Sequence, residues 1–268
     1  MSAPLNHTIK ETPLVTRPHL PSLFVTATDT GVGKTVVAAL LGLIYQEAGL
    51  RPAYFKPVET AAAKEGAELL SRDASFVAGL LELQDEPQKM LCPYAFELPV
   101  SPHLAASLAK KQVKLENICE CYRYFERRYH AVIVEGAGGL LVPVSPTAVI
   151  ADIARELGLP LLIVARPGLS TINHTLLTIA AALRADLPVI GVVLNRYPEN
   201  PDLVEKDNPK AIADFSGVPV LATVPEIPDF DPARPDYAAL IAAARRVNET
   251  HRLAEKLAAF SAERQPGR

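Results

Sequence analysis

The segment Thr28-Asp29-Thr30-Gly31-Val32-Gly33-Lys34-Thr35 decides the fold, because it joins two segments of different periodicity. The apolar run at residues 23–26 precedes it and predicts a buried strand. The stretch from about residue 34 to 47 has helical spacing and predicts a helix that ends before Gly49. A glycine-containing loop that ends in Gly-Lys-Thr between a strand and a helix is typical of a phosphate-binding loop.

The residue types of this loop suit the binding of phosphate. Gly31 and Gly33 allow backbone N–H groups to close around phosphate oxygens, and the helix N-terminus behind them adds a positive dipole end. We expect Lys34 to reach the β- and γ-phosphates and the Thr35 hydroxyl to bind magnesium. The strict motif has glycine at the position of Thr28. The alternative interpretation is therefore a glycine-rich turn that only connects the strand to the helix.

The rest of the chain predicts an α/β fold. Nearly all-apolar runs, as expected for strands covered on both faces, lie at residues 53–56, 131–134, 160–164, 189–194 and 218–221. Helical spacing lies between them, and residues 236–260 predict one or two terminal helices. Strands that alternate with helices imply right-handed crossovers and a parallel sheet. We predict a doubly wound, mainly parallel sheet of about seven strands with helices on both faces, the P-loop NTPase fold.

Composition narrows the class of protein. With 268 residues, 49% hydrophobic and 21% charged, the chain belongs to the soluble globular class. No linker or repeat is visible, so we expect one domain over residues 21–268 after a flexible leader at 1–20. The net charge of −3 and the lack of a long apolar run argue against nucleic-acid and membrane partners. The three cysteines form no CxxC pair, and we expect reduced thiols in a cytoplasmic protein.

Four blocks of sequence identify a family. They are residues 24–35, Lys56-Pro57-Val58-Glu59-Thr60, Glu135-Gly136-Ala137-Gly138-Gly139-Leu140-Leu141-Val142-Pro143 and Gly168-Leu169-Ser170-Thr171-Ile172-Asn173-His174. Together they resemble the dethiobiotin synthetases, a family that also tolerates threonine at the first loop position. The blocks run in the order of that family, and the resemblance covers residues 23 to 228.

The resemblance implies a reaction. Enzymes of that family take 7,8-diaminopelargonate, CO2 or bicarbonate, and ATP with Mg²⁺. They form a carbamate, phosphorylate it to a mixed anhydride and close a cyclic urea, with release of ADP and phosphate. The resemblance also implies a homodimer with the substrate pocket at its interface.

The resemblance implies roles for individual residues as well. Lys34, Lys56 and Thr30 are the expected catalytic residues, and the two lysines would neutralise phosphate and carbamate charge. The expected magnesium ligands are Thr35, Asp73 and Glu135. ATP is expected to contact Thr30, Gly31, Val32, Gly33, Lys34, Thr35, Asn195, Pro225 and Glu226. The substrate is expected to contact Thr60, Gly136, Ala137, Gly138, Gly139 and Asn173.

Several of these residues have a plain structural alternative. Asp73 could be a charge at a helix N-terminus, and Asn173, which we place at the start of a helix, could be its cap. Asn195 could be a loop residue that makes a turn. Lys56 could be a solvated lysine at a strand end, and Glu135 could have a purely structural role.

The sequence departs from the family pattern after Thr60, where Ala61 stands in place of a common glycine. Alanine does not easily adopt positive φ, so we expect this loop to differ or the substrate to sit slightly otherwise.

Two rival classes share the phosphate loop. Another P-loop amide ligase, such as a cobyrinate amidotransferase, would need a glutaminase domain, for which the chain beyond residue 228 is short. A partition-type switch ATPase would have a second lysine at the position of Asp29.

Overall fold

The computed structural model describes residues 19–227 and 235–263. In chain order, the strands of these residues are β1 (Leu23–Ala27), β2 (Pro52–Phe55), β3 (Val58–Glu59), β4 (Ala63–Glu65), β5 (Glu68–Leu70), β6 (Tyr94–Ala95), β7 (Ala131–Glu135), β8 (Leu161–Ala165), β9 (Val189–Tyr197) and β10 (Val220–Pro225). The helices are α1 (Lys34–Glu47), α2 (Arg72–Leu80), α3 (Gln88–Leu91), α4 (Pro102–Leu108), α5 (Leu115–Glu126), α6 (Ile150–Glu156), α7 (Thr171–Arg184), α8 (Leu203–Ser216), α9 (Tyr237–His251) and α10 (Leu253–Glu263).

The central sheet confirms the predicted α/β class. Its strand order is β10-β9-β8-β1-β7-β2, and every neighbouring pair is parallel. Among the described residues it has six strands rather than about seven. In the part of the chain that the structure describes, the four short strands pair only with one another, β3 with β6 and β4 with β5, and so do not extend the sheet.

Burial explains why the strand-forming runs are almost wholly apolar. Every residue of β1, β2, β7 and β8 is buried, because helices cover both faces of the sheet. The residues at the centre of the largest core cluster include Phe24, Tyr54 and Ile133, none of which is exposed. The two predicted terminal helices are α9 and α10.

The position of β1 organises the site. It lies between β7 and β8, with Val25 opposite both Glu135 and Leu162. The loops that follow these three strands therefore leave from the same edge of the sheet. In doubly wound sheets, ligands bind at this carboxyl edge.

The predicted leader overlaps the described chain only at His19 and Leu20, and residues 1–18 lie outside it. Leu20 is buried in the core, three residues before the central strand β1, and the division into leader and domain stays a prediction. Among the helices of the described residues, none combines the length and apolarity needed to cross a bilayer.

Candidate functional site

The phosphate loop joins β1 to α1, as predicted. Gly31 and Gly33 both have positive φ, 71° and 94°. The N–H of Thr28 donates to the carbonyl of Val164 at 3.0 Å, which ties the start of the loop to the end of β8. Helix α1 begins at Lys34, so the positive end of its dipole points into the loop. This backbone is suited to an anion.

Asn195 supports the loop from behind. Its Nδ2 donates to the carbonyl of Val32 at 2.8 Å, and its side chain is buried. A β-carbon placed on Gly33 would lie 2.0 Å from that nitrogen. Sequence alone ended the strand at Leu194. The structure continues β9 to Tyr197, because β10 pairs alongside it, so Asn195 is a strand residue and not a loop residue that makes a turn.

The other two residues expected to bind the base lie next to Asn195. Val224 of β10 pairs with Asn195, and Pro225 ends that strand. Glu226 follows and is exposed. The three residues expected to contact adenine therefore sit side by side at the carboxyl edge of β9 and β10.

A cluster of buried charge lies in front of the phosphate loop. Lys56 Nζ is 2.6 Å from Asp73 Oδ2 and 2.6 Å from Glu135 Oε1. The hydroxyl of Thr35 donates to Glu135 Oε1 at 3.0 Å, and the hydroxyl of Tyr54 donates to Glu135 Oε2 at 2.7 Å. The three residues predicted as metal ligands thus come together around Lys56. They meet because β2 and β7 are neighbours and α1 begins beside them.

The pKa values of the lysines reflect these partners. Burial alone would lower the pKa of Lys56, but the carboxylates of Asp73 and Glu135 outweigh it and raise the pKa above its ordinary value. Among the described residues, no carboxylate forms an ion pair with Lys34. Burial and the positive charge of Lys56 lower the pKa of Lys34 to about 8. Lys56 is therefore held as a cation. An anionic ligand would stabilise the charged form of Lys34.

Asp73 remains ionised in this cluster. Burial would raise the pKa of Asp73, but hydrogen bonding and charge from Lys56 lower it below the ordinary value. Two carboxylates, one hydroxyl and the Lys56 cation form an arrangement that can hold a divalent ion and phosphate oxygens.

Glu59 fixes the position of Asp73, a role that sequence analysis missed. Its carboxylate accepts from the backbone N–H of Arg72 at 2.7 Å and of Asp73 at 3.3 Å, and from the Ser71 hydroxyl. These bonds cap the N-terminus of α2, which Ser71 also caps by accepting from Ala74 N–H. Burial and the neighbouring charge of Asp73 raise the pKa of Glu59 to about 7.

The glycine-rich block after β7 lies against the phosphate loop. The N–H of Gly136 donates to the carbonyl of Val25 at 3.0 Å. A β-carbon on Gly138 would lie 3.5 Å from Thr30 Oγ1, and one on Gly139 would lie 3.4 Å from the Ala27 carbonyl oxygen. The structure therefore brings the first and third blocks into contact, and Ala137 is placed between these glycines.

The loop that follows Thr60 corrects one expectation. Ala61 has φ of 60°, so alanine occupies the conformation expected of glycine. Its N–H donates to the Leu98 carbonyl at 3.3 Å, and the N–H of Ala62 donates to the Phe96 carbonyl at 2.9 Å. These backbone bonds hold the loop in place despite the residue change. Thr60 lies half-buried at the end of β3, beside Glu59.

Asn173 has no contact with the Lys56 cluster among the hydrogen bonds of the described residues. Helix α7 begins at Thr171 with Ser170 as its N-cap residue, so Asn173 lies within the first turn rather than at the cap. Its side chain is exposed and makes no hydrogen bond within the described residues.

Sequence reasoning also missed Tyr54 and Arg166. Tyr54 sits in an apolar run and resembles a core residue until its hydroxyl is seen on Glu135. Arg166 follows the buried strand β8 directly, and a charged residue at the carboxyl end of a central strand was the signal that could have found it.

Comparison with known proteins agrees with this geometry. Residues 21–234 match the model of an AAA domain family. The chain is 39% identical over 206 residues to the ATP-dependent dethiobiotin synthetase BioD of Bacillus cereus strain B4264, covering 77% of this chain and 84% of that protein. It is 44% identical over 210 residues to the protein of the same name from Anaeromyxobacter dehalogenans strain 2CP-C, covering 77% and 91%.

The chain belongs to the ATP-dependent dethiobiotin synthetase family. The dethiobiotin synthetase blocks quoted above all lie within the matched part of the chain. This family membership makes the protein an ATP-dependent enzyme and excludes the two rival classes as its family.

Solved structures bear on the fold of this dethiobiotin synthetase family member. The MinC:MinD cell division complex of Aquifex aeolicus matches with a TM-score of 0.51 and 17% identity, covering 84% of this chain and 94% of that one. MinD of Pyrococcus horikoshii, complexed with Mg-ADP, matches with a TM-score of 0.50 and 19% identity, covering 90% and 96%. At these identities the likeness supports the P-loop fold alone.

Proposed function

We propose that this chain catalyses the ATP- and magnesium-dependent carboxylation and ring closure of 7,8-diaminopelargonate to dethiobiotin, and that it does so as a homodimer. The observation that carries the proposal is the cluster in which Lys56 lies 2.6 Å from both Asp73 and Glu135, in front of the phosphate loop. It would gather two anionic reactants at one edge of the sheet.

The proposed reaction begins with a carbamate, formed when one substrate amine adds to CO2 and loses a proton. A carbamate oxygen then attacks the γ-phosphorus of ATP. The bond from that phosphorus to the β,γ-bridging oxygen breaks, and its electron pair leaves with ADP. The second amine attacks the carbonyl carbon of the mixed anhydride and loses its proton to solvent, and phosphate departs with the electrons of the broken C–O bond.

Lys34, Lys56 and the loop amides would act by position and charge. Phosphoryl transfer needs little covalent help from a protein, so catalysis depends on holding the attacking oxygen in line and stabilising negative charge. Lys34, at the start of α1, would contact the terminal phosphates. Lys56 would contact the carbamate and the transferred group, and the amides of residues 30–34 would enclose the phosphates.

The donor set in this cluster fits magnesium, which prefers carboxylate and hydroxyl oxygens together with phosphate. Thr35, Asp73 and Glu135 would hold the ion. When bound, Mg²⁺ supplies charge neutralisation to the terminal phosphates.

The remaining predicted contacts complete the proposal. Thr30, Thr60 and residues 136–139 would line the substrate side. Asn195, Pro225 and Glu226 would contact adenine. Asn173, exposed on α7, would serve a pocket that a second copy of the chain completes.

The test is a mass-spectrometric assay for the cyclic urea. We expect product and phosphate only when diaminopelargonate, bicarbonate and Mg-ATP are present together. A protein that binds ATP yet forms no product with all three present does not have this function.

Lys34→Met supplies the matching variant, because methionine keeps most of the volume of this buried side chain. We expect turnover to fall by at least roughly 100-fold, the effect of removing one charge-stabilising group, with an unchanged circular dichroism spectrum. Lys210→Ala is the control, since Lys210 is an exposed lysine on α8 that pairs with Asp214. Wild-type turnover in Lys34→Met would remove this lysine from the mechanism.

A further inference from the structure

Arg166 presents a guanidinium to the phosphate loop. It is the first residue after β8 and its side chain is exposed. A β-carbon placed on Gly31 would lie 3.9 Å from Nη2 of Arg166. The guanidinium therefore reaches the mouth of the loop on the side away from the Lys56 cluster.

Arg166 has no acidic partner in the part of the chain that the structure describes. Two carboxylates near the phosphate loop, those of Asp73 and Glu135, form ion pairs with Lys56 and not with Arg166. The nearby Asp29 accepts from the N–H of Thr30 at 2.7 Å. An arginine that faces a phosphate loop without a carboxylate is free to bind an anion.

The backbone around Arg166 is held in place. Asn208, a buried residue of α8, donates through Nδ2 to the carbonyl of Pro167 at 2.6 Å and to that of Gly168 at 3.2 Å. Two residues before Arg166, the carbonyl of Val164 accepts from Thr28 N–H. The turn that carries the guanidinium is thus anchored both to α8 and to the phosphate loop itself.

Charge balance indicates why a further cation is useful here. Within the Lys56 cluster, the positive charges of Lys34 and Lys56 are matched by the negative charges of Asp73 and Glu135. A divalent ion adds positive charge, but a triphosphate together with a carbamate brings more negative charge than that ion carries. The excess is greatest at the terminal phosphates, where the two reactants meet.

We propose that Arg166 is a further catalytic residue that binds oxygens at the β–γ end of the nucleotide and stabilises charge on the β,γ-bridging oxygen as its bond to the γ-phosphorus breaks. This inference rests on the proposed function, because it assumes phosphoryl transfer from ATP. Arginine suits the role, since its planar fork stays charged and binds phosphate through two parallel hydrogen bonds.

The experiment uses full-length Arg166→Ala and Arg166→Lys, with Arg127→Ala as the control. Arg127 is also exposed, but it lies between α5 and the start of β7, at the opposite edge of the sheet. For Arg166→Ala we expect kcat for dethiobiotin formation to fall roughly 100-fold, as on loss of one preorganised donor. Arg166→Lys keeps a point charge and should recover part of this loss. Arg127→Ala should match wild type.

Binding measurements separate this role from others. Isothermal titration with Mg-ADP and with a non-hydrolysable Mg-ATP analogue should show a larger loss of affinity for the triphosphate than for ADP in Arg166→Ala. An equal loss for both nucleotides, a change confined to the KM of the diamine, or wild-type kcat would each overturn the proposal.

The failure of this inference differs from the failure of the proposed function. If wild type makes dethiobiotin and Arg166→Ala does so equally well, only the role of Arg166 is lost. If wild type makes no dethiobiotin, the proposed function is lost, and unequal affinities for the two nucleotides still report whether the guanidinium contacts the terminal phosphate.

Discussion

The phosphate loop and the loops that follow β3 and β8 all contain residues with positive φ, but the residues that adopt it differ. In the phosphate loop, both residues with positive φ are glycines, Gly31 and Gly33. In the loop after β3, Ala61 has φ of 60°, and in the loop after β8, Ser170, the N-cap residue of α7, has φ of 76°. Both of these residues carry a β-carbon, which positive φ disfavours.

The room available for a β-carbon explains much of the difference between these positions. Ala61 and Ser170 are exposed, so their side chains point into solvent and the cost is only the conformational strain of roughly 1–2 kcal/mol. Gly33 has no room, because a β-carbon there would lie 2.0 Å from Asn195 Nδ2. Gly31 is intermediate, since the nearest atom to its β-carbon position is 3.9 Å away. Positive φ alone therefore does not predict which position requires glycine.

Gly33→Ala should have the largest effect. The new methyl group must displace Asn195, a buried residue, as well as adopt a strained φ, so we expect a loss of roughly 3 kcal/mol or more in the free energy of unfolding. Urea denaturation followed by circular dichroism measures it. Nucleotide affinity should fall as well, because Asn195 and the Val32 carbonyl are forced apart. An unchanged unfolding midpoint would show that the clash is relieved without cost.

Asn195→Ala tests whether the clash is the cause. In the wild-type background this change removes the hydrogen bond to Val32 and should cost roughly 1–2 kcal/mol. In the Gly33→Ala background it also removes the clashing amide. The double variant should therefore be more stable than the sum of the two single changes by at least about 1 kcal/mol. Simple additivity would argue against a steric conflict between these residues.

Gly31→Ala isolates the effect of conformation. Gly31 has positive φ as Gly33 has, but its β-carbon would make only an ordinary van der Waals contact, 3.9 Å from Arg166 Nη2, so we expect a loss of only roughly 1–2 kcal/mol. The same urea titration compares the two variants directly. A loss as large as that of Gly33→Ala would mean that strain, and not space, decides both positions.

Ala61→Gly and Ser170→Gly should have the smallest effects. Relief of strain in the folded state is partly offset by the greater freedom of glycine in the unfolded chain, so we expect a gain of roughly 0.5 kcal/mol for each. Differential scanning calorimetry should show a slightly higher Tm. A lower Tm for Ala61→Gly would indicate that the methyl group makes a contact worth more than the strain.

Local sequence patterns predicted the parts of the fold that depend on nearby residues. The apolar runs gave all six central strands, and helix α1 has the bounds that its spacing indicated. The pattern stopped β9 at Leu194, since the polar residues that follow do not show that β10 continues to pair with them. The positive φ of Ala61 was missed for a related reason, because backbone bonds from residues 96–98 impose it.

The residues of the candidate site likewise fall into those that the sequence predicted and those that depend on distant parts of the chain. The motif and the resemblance supplied Lys34, Lys56, Asp73 and Glu135, which the structure brings together. The residues that support these four side chains could not be identified from the sequence around them. Tyr54 reaches Glu135 across 81 positions of sequence, so its role depends on which strands become neighbours. The same holds for Glu59 and for the bond from Asn195 to the Val32 carbonyl, whereas Arg166 had a signal in its place directly after β8.

The central place of β1 has a consequence for biosynthesis. This strand is made first, yet both of its neighbours, β7 and β8, begin about a hundred or more residues later in the chain. Translation adds roughly 5–20 residues per second, so synthesis of the chain between β1 and its first partner strand takes about 5–20 s. During that interval its apolar surface and its backbone edge are open to wrong partners. We therefore expect nascent chains truncated before Ala131 to bind chaperones and to lack nucleotide affinity.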